Sequence, residues 1–157
     1  MKHWLILLSI AALTALGGLL PFTGADVAQL KPVELVLLSR EGTILTVETD
    51  TGDRGTGADL KTAFEDLKDT ADGQIFLETV NDLLLDESAL DLLPQIVESQ
   101  IRPSTRVVQT RGEMNPETAA DFLTVHSPNT TLWDWKLNPA PLEVLGEEEG
   151  RLYLETR

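Results

Sequence analysis

VELVLLSREGTILTVET, from Val33 to Thr49, reads as a β-hairpin, and the rest of the architecture can be worked out around it. Val33–Leu38 and Thr43–Thr49 are β-rich runs, and Ser39-Arg40-Glu41-Gly42 is a turn-length spacer between them. In the second run Thr43, Leu45, Val47 and Thr49 share one face, and Ile44, Thr46 and Glu48 share the other. The first run is almost wholly apolar, as in a strand covered on both faces.

Downstream, Thr51–Gly57 (TGDRGTG) reads as a turn, followed by an amphipathic helix. Leu60, Ala63, Phe64, Leu67 and Ala71 keep the i, i+3, i+4, i+7 spacing of a buried stripe. Thr56 and Asp59 have capping-box spacing, and Gly73 stands where a left-handed C-terminal cap belongs. Gln74–Glu78 reads as a short buried strand, and Asp82–Leu85 as another strand or the start of a helix. A helix is expected from Glu87 to about Ser99, burying Leu90, Leu93, Ile96 and Val97. Pro94 has no N–H to give, so that helix starts late or kinks there. Thr105–Thr110 reads as a further strand. Asn115-Pro116 then supplies a cap and a first residue for a helix to about Val125, with Ala119, Ala120, Phe122 and Leu123 on its apolar face. Residues 126–141 read as irregular, and residues 142–156 as a terminal hairpin around Glu147-Glu148-Glu149-Gly150. Alternating strands and helices predict one α/β domain over 26–157, a mixed sheet with about three helices packed on it.

Upstream, Trp4–Leu20 is an uncharged run of 17 residues preceded by Lys2. Pro21 and Gly24 break it, and Thr23-Gly24-Ala25 is small enough for a signal-peptidase cut. The first acid is Asp26, so the charge turns sharply negative beyond the apolar run. With Lys2 left behind, this predicts translocation outward. Residues 1–25 are therefore a signal peptide or a membrane anchor, since the run lies near the roughly 20 residues needed to span a bilayer. Cleavage near Ala25 is the expected outcome.

The whole chain has 157 residues with 26 acids against 12 bases, a formal charge of −14. Such a charge disfavours binding to a phosphate backbone. The absence of cysteine removes disulfides, thiolate catalysis, zinc ribbons and iron–sulfur clusters.

With the preceding hairpin and helix, the segment Asp82–Val108 resembles the N-terminal domain of the Ger(x)C family, the membrane-attached C subunits of bacterial spore germinant receptors. Leu83-Leu84-Leu85-Asp86-Glu87-Ser88-Ala89 stands at the family's aliphatic run and Gly-Glu-type pair, with Asp86 in place of the usual glycine. Arg102 falls at the arginine before the next strand. The resemblance covers roughly Asp26–Gly112. It implies a hairpin, a helix and a short strand in that order, and an extracytoplasmic place at a membrane. The lipobox cysteine and the family's further domains are lacking, so the lipid anchor does not carry over. The expectation is a stand-alone relative in a Gram-positive bacterium.

Candidate chemistry is sparse. Gly52-x-x-Gly55-x-Gly57 before a helix suggests a phosphate cradle, but it lacks the Lys-Ser/Thr of a P-loop, and Asp50, Asp53 and Asp59 would repel phosphate. The expected role of these glycines is a turn with positive φ. His126 is the one histidine beyond the apolar run, and none of Ser39, Ser88, Ser99, Ser104 and Ser127 sits in a nucleophile elbow. The acid groups Asp50/Asp53, Asp82/Asp86/Glu87 and Glu147–Glu149 form no calcium motif and read as solvated surface. Asn129-Thr130-Thr131 is a formal glycosylation sequon. Trp133-Asp134-Trp135 would place both rings on one side if extended, covering the core edge or meeting a partner or sugar.

These features predict an exported, non-enzymatic protein-interaction module at the outer face of the membrane or secreted. Its expected partner is a protein with a basic surface, contacted through Trp133 and Trp135. No cofactor, metal or nucleic acid is expected, and the N-terminal segment would contact the membrane if uncleaved. The alternative is a small exported hydrolase or carbohydrate-binding domain using acids near Trp133 and Trp135.

Overall fold

The computed structural model describes residues 30–156, Leu30 without its side chain. The expected signal or anchor, its cleavage site and the start of the domain at Asp26 lie outside the described residues. Among the described residues no helix is long and apolar enough to cross a membrane.

The expected α/β architecture with a mixed sheet is present. In chain order the elements are β1 (Leu30–Pro32), β2 (Leu35–Glu41), β3 (Ile44–Thr49), β4 (Arg54–Gly57), α1 (Leu60–Thr70) and β5 (Gln74–Phe76). A 3-10 turn (Leu77–Thr79), β6 (Asp82–Leu85), a longer 3-10 stretch (Glu87–Leu92) and the single-turn α2 (Leu93–Ile96) follow. Then come β7 (Arg106–Arg111), α3 (Pro116–Val125), α4 (Leu132–Leu137), β8 (Val144–Glu148) and β9 (Arg151–Glu155). Seven strands form one sheet in the order β4-β3-β2-β6-β7-β8-β9. β2, β6, β7 and β8 run parallel, and antiparallel partners flank them on both sides.

Burial explains which strands are central. Leu35–Leu38 of β2 and Asp82–Leu85 of β6 are buried at every position, as strands sandwiched between two layers must be. On one face Val36, Leu38, Leu45, Val47, Leu83, Leu85 and Val107 meet Leu60, Ala63, Phe64 and Leu67 of α1, together with Ala89, Leu92, Leu93 and Ile96. On the other, Leu35, Leu37, Leu84, Val108 and Leu145 meet Met114 and the Ala119 and Leu123 stripe of α3. The α1 stripe expected from its spacing is thus the buried one, with Ala71 packed at its margin.

Several local expectations are corrected. The first hairpin is longer than read: Glu41 pairs with Ile44, and the turn tightens to Gly42-Thr43, with Gly42 at φ 60°. Arg54–Gly57 is not part of a turn but the border strand β4, paired to β3. Gly52 does take a positive φ of 83°, but Gly55 and Gly57 serve a different need. A Cβ on Gly55 would lie 2.4 Å from the Ala63 carbonyl oxygen, and one on Gly57 2.4 Å from the Ala63 nitrogen. These glycines let α1 lie directly on the strand. The α1 cap also moves three residues along: Asp59 is the N-cap and Thr62 completes the box, accepting 2.8 Å and 3.2 Å bonds respectively. Thr56 is occupied in β4, where its amide donates to Asp66 at 2.7 Å, while the Thr70 hydroxyl donates to the Arg54 carbonyl at 3.1 Å. The C-cap is Ala71 in extended geometry, and Gly73 lies beyond it.

β5 does not join the main sheet. It pairs in parallel with β1, and the expected strand over Gln74–Glu78 gives way to the 3-10 turn at Leu77. The single helix expected over Glu87–Ser99 is a 3-10 stretch followed by one α-turn whose second residue is Pro94, the late-start alternative. Within it Leu93 and Ile96 are buried, and Leu90 and Val97 are only partly so. Asn115 caps α3 through Thr118, as its position implied. The segment 126–141 is not irregular throughout, since it contains α4. The terminal hairpin forms, but Glu147 and Glu148, expected in its turn, pair with Leu152 and Arg151, and the turn tightens to Glu149 at φ 51° and Gly150 at φ 76°.

Candidate functional site

α4 converts Trp133-Asp134-Trp135 from the extended segment that alternation assumed into a helix, and this separates the two rings. Thr131 is its N-cap: the Asp134 amide donates to the Thr131 hydroxyl at 3.1 Å, and the Thr131 amide donates to the Asp134 carboxylate at 3.2 Å. The same hydroxyl donates to Asp134 and, with that amide, holds the carboxyl below its ordinary range. A Thr-x-x-Asp pattern before an apolar residue is a helix-start signal, and it is legible in the sequence at Thr131.

Two residues apart on a helix point to nearly opposite sides. Trp135 turns inward and packs at the margin of the larger core cluster, and Leu132 on the same helix is buried. Trp133 turns outward and is 50% exposed. One helical turn on, Leu137 is 68% exposed, so the outer face of α4 carries an i, i+4 pair of large apolar side chains. Lys136 Nζ lies 5.9 Å from the Trp133 ring centroid and pairs with Glu98 at 2.7 Å. The helix is pinned from below: the Leu132 amide donates to the Thr105 carbonyl at 2.9 Å and the Trp133 amide to Pro103 at 3.0 Å. A short helix fixed to the start of β7 thus presents a tryptophan and a leucine to solvent.

The other sequence candidates are spoken for by local structure. His126 is the C-cap of α3 and its ring stacks on Phe122 with centroids 4.4 Å apart. Ser127 accepts from Arg106 at 2.6 Å. Asp50 takes the amides of Glu34 and Leu35, each at 3.2 Å. Asp53 pairs with Lys31 at 2.7 Å, and Asp86 caps the 3-10 stretch through the Ser88 amide at 2.9 Å. Glu147 and Glu148 are exposed at the end of β8 and lead into the turn of the last hairpin. Asn129 is tied by amide and side chain to Glu143, at 2.7 Å and 3.1 Å. Among the described residues no three histidines or carboxylates are grouped to hold a metal ion. Four surface cavities among the described residues, beside α1, at the amino ends of β2, β6 and β7, at the opposite ends of those strands and beside His126, are lined by neither Trp133 nor Trp135.

Sequence reasoning missed one group. Asp82, read as part of an acid cluster with Asp86 and Glu87, is 4% exposed and paired to Arg106 at 2.5 Å. Burial pushes its carboxyl above the ordinary value, with Arg106 opposing and Glu34 reinforcing that shift. The partner lies 24 residues away on the neighbouring parallel strand.

No family model, curated relative or solved structure matches the chain.

Proposed function

We propose that the chain is an exported, membrane-proximal interaction module of a bacterium that docks a protein partner through the outer face of α4. The exposed Trp133–Leu137 pair carries this reading. An apolar pair held rigidly in water gains free energy when a partner covers it, and tryptophan is enriched among the residues that dominate interfaces. Trp135 takes the role of support, fixing the helix from the core side.

The formal charge of −14 favours a basic partner surface and opposes nucleic acid and anionic lipid headgroups. The apolar run Trp4–Leu20, Lys2 before it and the charge step at Asp26 support export. The likeness to germinant-receptor C subunits supports a place beside a membrane complex, and no metal, nucleotide or cofactor enters the proposed contact.

The test compares the protein with Trp133→Ala/Leu137→Ala in capture from membrane extracts. Both residues are exposed, so the variant is expected to melt with the parent and lose the captured protein. Raising salt should release that protein from the parent, because exposed charges are screened beyond roughly 8 Å at physiological ionic strength. Equal capture by the two proteins overturns the assignment to α4.

A further inference from the structure

The last strand forms an open border of the sheet. Among the described residues β9 pairs with β8 alone, one residue to one over all five and without a bulge. The ladder fixes which of its backbone groups face outward. The Gln109 amide donates to the Glu143 carbonyl at 2.9 Å, so the backbone groups of Glu143 are turned toward β7. By alternation those of Val144, Gly146 and Glu148 turn the other way, toward Glu155, Tyr153 and Arg151 of β9. The amides and carbonyls of Leu152 and Leu154 are left pointing away from the sheet. Border strands are commonly blunted by a proline, a bulge or a charge in mid-strand. β9 has none of these, and its two charges stand at its ends.

Its side chains complement themselves. Arg151-Leu152-Tyr153-Leu154-Glu155, turned end for end, presents glutamate where arginine stood and leucine where leucine stood. Laid antiparallel on a second copy with Tyr153 on the twofold axis, Arg151 meets Glu155 and Leu152 meets Leu154, each contact made twice. In that register the outward amides and carbonyls of the leucines fall opposite one another as hydrogen-bonded pairs. A slip of two residues either way leaves a leucine facing Gly150 or Thr156 and sets Tyr153 opposite a charge. Both faces of the strand suit the contact. Leu152 and Leu154 are partly buried against the cluster beneath α3, so a second pair of leucines extends an existing apolar surface. On the other face Tyr153 lies close over Gly146, where a Cβ would meet its ring at 2.5 Å. Arg111 donates to the Tyr153 hydroxyl and pairs with Glu155, each at 3.2 Å, and Arg151 is exposed.

We propose that the chain forms a homodimer by antiparallel addition of β9 to β9 of a second copy, making one sheet continuous across both. The contact is isologous: each copy offers the same strand, and pairing consumes both β9 borders. Five residues from each copy make a small interface, so an affinity in the micromolar range is expected. The contact is independent of docking at α4, which is tied to the start of β7.

The chain has no cysteine, so a single one introduced into it forms a disulfide only between copies. Residues opposed at a non-hydrogen-bonded position have Cα atoms about 4.5 Å apart, within reach of a disulfide. The experiment is oxidation of the purified full chain in mild detergent at physiological salt, where repulsion between acidic copies is screened beyond roughly 8 Å. Tyr153→Cys is expected to cross-link to a dimer faster than Leu137→Cys, an exposed control on α4. Arg151→Cys mixed with Glu155→Cys is expected to cross-link, and either alone is not, because like residues then stand four positions apart. Both positions are exposed, so this mixture reads the register even if Tyr153→Cys fails to fold. In sedimentation of the cysteine-free chain, Arg151→Glu opposes two glutamates and is expected to weaken the dimer about tenfold while melting with the parent. Trp133→Ala/Leu137→Ala is expected to leave the dimer unchanged, which separates this result from any result on partner capture. Cross-linking of Tyr153→Cys no faster than the control overturns the strand pairing. Cross-linking of Arg151→Cys alone as readily as the mixture overturns the register. A chain that sediments as a monomer at about 100 μM overturns the dimer.

Discussion

Asp53 and Asp82 occupy opposite electrical settings, so acid should affect them with opposite sign. Burial pushes Asp53 up, but the Lys31 ammonium and the Thr51 hydroxyl outweigh it and leave the carboxyl below its ordinary value. Its contribution is therefore present above the unfolded value, about 3.9, and lost as pH falls through the folded one. Burial of Asp82 wins over Arg106 and leaves its carboxyl raised. There the folded state holds the proton more tightly, so stability is complete below about 3.9 and is lost as pH rises through the folded value. Melting curves from acid to neutral pH should show the deficit of Asp53→Asn shrinking toward acid and that of Asp82→Asn shrinking toward neutral. Parallel slopes for the two variants would contradict the assignment. Asp53 was legible as an acid near a turn, but neither partner was. Lys31 precedes the first hairpin and Arg106 follows the second crossover, and pairings over such separations leave no local pattern in a sequence.

At the scale of elements, α1 and β4 form one unit made by apolar spacing on the helix and missing side chains on the strand. Phe64, 4% exposed in the core beside Val36, Leu45 and Val47, should cost roughly 3–5 kcal/mol when cut to alanine. Gly55→Ala tests the other half of the contact. Its Cβ would collide with helix backbone at 2.4 Å, and overpacking of this kind costs about 1–3 kcal/mol, seen as a lower denaturant midpoint. An alanine tolerated there would mean that α1 does not lie so close. The helix was readable from its i, i+3, i+4 repeat. The strand was not, because glycine is depleted in strands on average and its use here is decided by what lies above it. α4 failed for another reason: it is short and lies between Pro128 and Pro139, so its capping box was the one local sign of a helix.

At the scale of the molecule, alternation of strands and helices made the fold class readable, whereas strand order was not. Nothing in Gln74–Glu78 says that it leaves the main sheet to pair with β1, since both pairings bury Ile75 equally well as a pattern. The proposed export is also tested on the whole chain. A reporter active only outside the cytoplasm, fused after Arg157, should be active, and a well-expressed but inactive fusion would remove the exported module.

The seven-stranded sheet has two borders, and they differ. On β4 the amide of Thr56 and the carbonyl of Arg54 are already bonded to Asp66 and Thr70 of α1. β9 pairs with β8 alone among the described residues and carries no such cover. Fibril growth by strand addition needs an open rim at each end of every copy, one to receive and one to offer. With part of the β4 rim taken by helix side chains, strand addition by another copy is disfavoured there and left to β9, which works against growth in both directions.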